Sequence, residues 1–61
     1  MDMRSKIQWV LDSDMSAYYI MKETGVSDSK ISRLRNGKNT IDKMSFGMAE
    51  KLAELCDKEN Q

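Results

Sequence analysis

The side chains that could do chemistry in this chain gather in its central part, and they suit hydrogen bonding and the binding of anions. Residues 27–43 hold five lysines and arginines against two aspartates, a net charge of +3. Residues 1–26 hold three basic against four acidic side chains (−1), and residues 44–61 hold two against four (−2). A local excess of cations is typical of a surface that binds an anionic partner, although the zero net charge of the whole chain argues mildly against one.

Few residues are suited to other kinds of chemistry. The chain of 61 residues has no histidine and a single cysteine, Cys56, so it can form neither an internal disulfide nor a four-ligand zinc site. No serine or cysteine has a recognisable base as its partner. We therefore expect no enzyme, and no metal, cofactor or small-molecule ligand. We expect Cys56 to be a small buried apolar residue of the last helix.

Neither a membrane segment nor an export signal is expected. Every apolar run is far shorter than the roughly 18 residues that a membrane helix needs. The first residues are mixed and polar, unlike a signal peptide. Together with the lone thiol, these features predict a cytoplasmic protein with no membrane partner. The length predicts one domain over residues 1–61.

Apolar spacing and capping residues predict an all-α domain of four, or at most five, short helices. We expect a first helix over residues 3–12 and a second helix that is capped by Ser16 and ends at Glu23 or Thr24. The third helix should start at Ser27 or Asp28 and end before Asn36. A polar loop over residues 36–44, anchored by Ile41 and Met44, should lead to a fourth helix that is capped by Ser45 and ends near residue 57. Trp9 is expected at the edge of the core rather than as an exposed contact.

The second and third helices form the most informative part of the chain. Gly25 lies where a helix ends and a positive φ is needed, and Val26 after it is expected to point inward. In the third helix only Ile31 and Leu34, three residues apart, form an apolar stripe. With Ile20 and Met21 in the preceding helix, this spacing meets the requirements of a helix-turn-helix unit whose second helix has a free polar outer face.

The stretch TGVSDSKISRLRNGK, over residues 24–38, resembles the helix-turn-helix of the Cro and phage-repressor (XRE-like) family. The resemblance continues through residues 41–52 and covers roughly residues 15–55. It departs from the family at Ala17, where a phosphate-binding glutamine is common, and at Met21, where alanine is usual. The resemblance implies a small λ-repressor-like fold that binds DNA.

The resemblance also implies roles for individual residues. The positions that face bases are Ser27, Asp28, Ser29 and Arg33. The positions near phosphates are Ser16, Ala17, Lys30, Asn36, Lys38 and Lys43, with the Ser16 hydroxyl or a backbone amide replacing the missing glutamine. Some alternatives stay open: Asp28 as a plain helix cap, and each lysine as a solvated charge.

Two further side chains also have alternative roles. Arg35 either contributes to this surface or pairs with an acidic residue of the first or second helix. The two tyrosines at the start of the second helix, Tyr18 and Tyr19, either pack against the first helix or, for Tyr18, contact a phosphate.

Two functions follow as hypotheses. The first is a sequence-specific transcriptional regulator, a repressor in particular, that docks residues 27–35 in the major groove of a double-stranded DNA operator as a homodimer. Its dimer surface is expected in the 39–46 loop and the fourth helix. The alternative is a protein-interaction module with the same fold, such as an antirepressor or accessory subunit, which the zero net charge, Ala17 and Asp28 favour.

Overall fold

The computed structural model describes residues 2–37 and 41–60. Over these residues the chain forms four α-helices and one short 3₁₀ helix and contains no strand, which confirms the predicted all-helical fold. The elements are α1 (Met3–Asp12), α2 (Ala17–Thr24), α3 (Asp28–Arg35), the 3₁₀ helix (Ile41–Lys43) and α4 (Phe46–Glu59). None of the described helices is long and apolar enough to span a membrane.

Each α-helix begins at a side chain that accepts a backbone hydrogen bond from the first turn. The caps are Asp2, Ser16, Ser27 and Ser45, with acceptor-to-nitrogen distances of 2.8, 3.0, 3.3 and 3.3 Å. Such caps each contribute about 1 kcal/mol to stability. Because Ser27 caps α3, the interpretation of Asp28 as the cap is wrong.

The core lies where α1, α2, α3 and α4 meet. It is formed by Ile7, Val10, Leu11, Ile20, Val26, Ile31, Leu52, Leu55 and Cys56. Cys56 is 1% exposed, as predicted. Trp9 and Tyr19 are half-buried against the core. Tyr18 is 63% exposed, which does not agree with the alternative in which it packs against the first helix.

The segment before α4 is more ordered than a plain polar loop. Ile41 and Met44 are half-buried against the core, as predicted for its anchors. Between them the chain closes a 3₁₀ turn, in which the Met44 amide donates to the Ile41 carbonyl oxygen over 3.1 Å. An ion pair between Arg4 and Asp42 connects this turn to α1. At its other end α4 continues to Glu59, slightly beyond the predicted end near residue 57.

Candidate nucleic-acid interface

The turn between α2 and α3 is held by backbone and side-chain hydrogen bonds. Gly25 has φ of +80°, as predicted, and its amide donates to the Met21 carbonyl oxygen over 2.7 Å. The Thr24 hydroxyl donates to the Ile20 carbonyl oxygen over 2.7 Å and accepts from the Val26 amide over 3.1 Å. Since Thr24 and Val26 are both buried, this network fixes the direction in which α3 leaves the turn.

The third helix has one buried edge and a broad exposed face. Ile31 is completely buried and Leu34 is half-buried against the core. The remaining side chains of the helix are polar or charged, and all of them are exposed. A short helix held by a narrow apolar edge therefore presents most of its circumference to a partner.

The four residues predicted to face bases lie on this exposed part of α3. Ser27, Asp28 and Ser29 are consecutive at its N-terminal end, and Arg33 lies one turn beyond Ser29, on the same side of the helix. Ser27 already accepts the Lys30 amide through its hydroxyl oxygen, so its hydroxyl hydrogen is the group left for a partner.

Arg33 is exposed on α3. Among the residues that the structure describes, none forms a hydrogen bond or an ion pair with its guanidinium group. None of its five N–H donors is therefore used within residues 2–37 and 41–60.

Arg35 has a different role from both of those expected. Its guanidinium group donates to four backbone carbonyl oxygens at the C-terminal end of α1 and in the loop after it. The distances are 2.9 Å to Leu11, 3.4 Å to Val10, 3.3 Å to Ser13 and 2.7 Å to Met15. Val10 and Leu11 belong to the last turn of α1, where the helix dipole makes a cation favourable. Arg35 thus ties α3 to α1, instead of pairing with an acidic side chain.

The residues predicted near phosphates lie at separate places in the fold. Ser16 is exposed at the start of α2. The Ala17 side chain is half-buried against the core, so only its backbone amide can donate to a phosphate.

The remaining phosphate positions follow α3 or lie on it. Asn36 is exposed at the end of α3, and Lys43 is exposed at the end of the 3₁₀ helix. Lys30 is exposed on α3, and Lys38 lies outside the described residues. The structure thus leaves Asn36, Lys43 and Lys30 accessible to a ligand.

Sequence reasoning missed the two side chains that position this surface. Thr24 was considered only as the end of a helix, although a threonine directly before a helix-ending glycine can bond the backbone on both sides of the turn. Arg35 has no such local signal, because its partners lie 20 to 25 residues earlier in the chain.

No known protein-family model and no curated protein sequence matches this chain. The resemblance to the Cro and phage-repressor family therefore depends on the motif residues themselves. In the part of the chain that the structure describes, no three His, Cys, Asp or Glu side chains are grouped in a way that could hold a metal ion.

Proposed function

We propose that this protein binds double-stranded DNA in a sequence-specific manner and regulates transcription, with α3 in the major groove. The observation that carries the proposal is the division of α3 into a buried edge at Ile31 and an exposed polar face that includes Ser29 and Arg33. An exposed α-helix of this kind has the dimensions that the major groove admits. The proposal includes a cytoplasmic location and a repressor role.

The exposed side chains of α3 have the chemistry that base edges require. An arginine can donate two parallel hydrogen bonds to O6 and N7 of guanine, which gives about 1–3 kcal/mol of discrimination against other bases. The guanidinium group of Arg33, which is exposed and has no partner among the described residues, is the candidate for this contact. The Asp28 carboxylate can accept a hydrogen bond from a cytosine amino group. It does not cap α3, because the cap residue is Ser27.

Phosphate contacts would fix the position of α3 on the duplex. Lys30, Asn36 and Lys43 are exposed, and Ser16 and Ala17 supply backbone amides at the positive end of the α2 dipole. Each such contact adds to affinity without selecting a sequence. Lys38 is part of the same proposal on the basis of the motif alone.

A homodimer is the form in which we propose that the protein acts. Phe46, the first residue of α4, is 69% exposed and is therefore available for contact with a second copy. It belongs to the segment in which the dimer surface was predicted. A two-fold symmetric dimer would place its two α3 helices about 34–36 Å apart, in successive major grooves.

The second candidate function is that of a protein-interaction module with the same fold, such as an antirepressor or accessory subunit. The absence of a polar side chain at Ala17 and the exposed carboxylate of Asp28 favour it, because both weaken attraction to phosphates. Under this alternative, replacement of Arg33 and Lys38 would leave partner binding unchanged.

The test is a binding selection from a pool of random duplexes, followed by salt titration on the selected sequence. The proposal predicts a two-fold symmetric motif, with log K falling against log salt by about 0.9 for each phosphate contact. Recovery of no motif, with weak binding to every duplex, would contradict it and favour the protein-interaction alternative.

A further inference from the structure

An open groove of about 400 Å³ lies between the turn that follows α2 and the first turn of α4. Its lining is mainly apolar and includes Val26 and Met48. Thr24 also lines it, with its hydroxyl used in hydrogen bonds within the turn. A Cβ atom at Gly47 would meet no neighbouring atom within 4 Å, which shows that this glycine faces open space. Binding sites for small molecules have volumes of about 300–1,000 Å³ and are mostly apolar with a few polar groups.

The charged groups of the groove are cationic. Lys30 of α3 and Lys51 of α4 line it beside the neutral Ser27, and no carboxylate is among its lining residues in the part of the chain that the structure describes. Within residues 2–37 and 41–60 the ion pairs are Arg4–Asp42, Lys6–Asp57 and Lys58–Glu23, so neither groove lysine has an anionic partner.

The Lys30 side chain lies across the groove, and its partner there is a weak hydrogen-bond acceptor. Its ammonium group lies 3.9 Å from the sulfur of Met48. A thioether is a weak hydrogen-bond acceptor, whereas a carboxylate accepts charge-assisted bonds that are about twice as strong as neutral ones. An anion beside Met48 would therefore give the Lys30 ammonium group a stronger hydrogen-bond acceptor than the thioether.

We propose that this groove binds a small organic carboxylate with an apolar body. The apolar body lies on Val26 and Met48, and the carboxylate lies between Lys30 and Lys51. Because Ser27 and Lys30 belong both to the groove and to the proposed DNA contacts, the ligand competes with DNA and acts as an effector. The competition with DNA rests on the proposed function, whereas binding of the ligand to the groove does not.

Amide chemical shifts of the whole protein, measured without DNA, test ligand binding with phenylbutyrate as the probe. We expect saturable shifts at Gly25, Val26, Gly47 and Met48. Uncharged phenylbutanol should bind more weakly, and acetate, which lacks the apolar body, should cause no saturable shift. Equal binding of phenylbutanol, or shifts that do not saturate, would overturn the proposal.

Variants place the probe in the groove. Lys30→Gln and Lys51→Gln should each weaken phenylbutyrate binding about two- to fivefold, as expected for an exposed ion pair. Lys22→Gln removes a charge from α2 outside the groove and should change nothing. Gly47→Leu should block the site, whereas Gly47→Ala should leave it open. Undiminished binding to a folded Gly47→Leu protein would contradict the assignment.

Competition with DNA is measured separately. On a duplex obtained by selection, phenylbutyrate should weaken DNA binding of the normal protein and leave that of the Gly47→Leu variant unchanged. Ligand binding without competition would overturn the effector role but would leave the groove as a ligand-binding site. A failure to obtain any duplex would overturn the proposed function and leave the result for the groove intact.

Discussion

The Arg35 side chain connects the helix that we propose to dock on DNA with the end of the first helix. Its guanidinium group donates to carbonyl oxygens of Leu11 and Met15 at 2.9 and 2.7 Å, and to two others at longer distance. The planar fork of an arginine can serve several acceptors at once, which an ammonium group on a flexible stem does less well. Arg35 therefore positions α3 through its Nε and Nη2 groups, which both donate to the backbone.

We predict that Arg35→Ala lowers the free energy of unfolding by roughly 1–3 kcal/mol, because charge-assisted hydrogen bonds to the backbone are lost. Urea unfolding followed by helical circular dichroism measures the change. Arg35→Lys should recover part of the stability, and Arg33→Ala, as a matched loss of an arginine, should have almost no effect. Equal stabilities of the Arg33 and Arg35 variants would show that the contacts with α1 contribute little.

The two arginines also show what the sequence can predict at this scale. Arg33 and Arg35 are the same residue type on the same short helix, and both were candidates for an external partner. Helical periodicity could place Ile31 inside, because its spacing from Leu34 is local information. It could not distinguish the two arginines, since the partners of Arg35 are brought to it only by the packing of α3 against α1.

Among the elements, Gly25 and Gly47 differ in what they would allow at their positions: the first lies in a left-handed turn and the second lies within a helix. Gly25 has φ of +80° after α2, a conformation that costs a residue with a Cβ atom about 1–2 kcal/mol. Gly47 lies in the first turn of α4, where a Cβ atom would meet nothing within 4 Å. The same substitution should therefore have effects of opposite sign at the two positions.

We predict that Gly25→Ala lowers the free energy of unfolding by about 1 kcal/mol and that Gly47→Ala raises it by about 0.5–1 kcal/mol, since alanine favours a helix. Thermal unfolding of the two variants beside the normal protein is the measurement. A stabilising Gly25→Ala would contradict the left-handed turn. A destabilising Gly47→Ala would contradict the open position in α4.

The helices themselves could be predicted because their signals are local. Ser16, Ser27 and Ser45 each precede an apolar stripe and each proves to be a cap. The 3₁₀ turn over Ile41–Lys43 was not predicted, because Ile41 and Met44 were interpreted only as anchors of a loop. The choice of Ser27 over Asp28 as the cap was also left open, since both residue types cap helices equally well.

At the scale of the whole molecule, the C-terminal part of α4 is connected to α1 and α2 by exposed polar contacts. The Lys6 ammonium is 2.9 Å from the Asp57 carboxylate, and the Tyr19 hydroxyl donates to Glu59 over 2.9 Å. Lys58 pairs with Glu23. The hydrogen bond to Glu59 raises the pKa of Tyr19 above 10.0, and the bond to Glu23 raises the pKa of Lys58 above 10.5.

We predict that these contacts weaken at alkaline pH. Raised pKa values in the folded state mean that the stabilisation is complete below the ordinary pKa values of the two groups and is lost as the pH rises through their folded-state pKa values. In Tyr18→Phe, which leaves Tyr19 as the single tyrosine, phenolate absorbance should report a pKa above 10.0. Adding Glu59→Gln should lower it. A pKa at or below 10.0 without that second change would contradict the contact.

Phe46 is the exposed residue that we propose to contact a second copy of the chain. We predict that Phe46→Glu leaves the fold intact, because the side chain is 69% exposed, and reduces affinity for a duplex with two half-sites while binding to a single half-site is unchanged. Sedimentation of the protein with each duplex measures both. Equal loss on the two duplexes would show that Phe46 acts on DNA contacts rather than on the dimer.

Whether the exposed face of α3 contacts base edges is tested most directly by a binding selection carried out in parallel for the normal protein, Arg33→Ala and Lys22→Ala. We predict the same two-fold symmetric motif in all three, with preference at one base pair of each half-site lost in Arg33→Ala alone, a discrimination of about 1–3 kcal/mol. A motif unchanged at every position by Arg33→Ala, or no motif for the normal protein, would contradict base contact by α3.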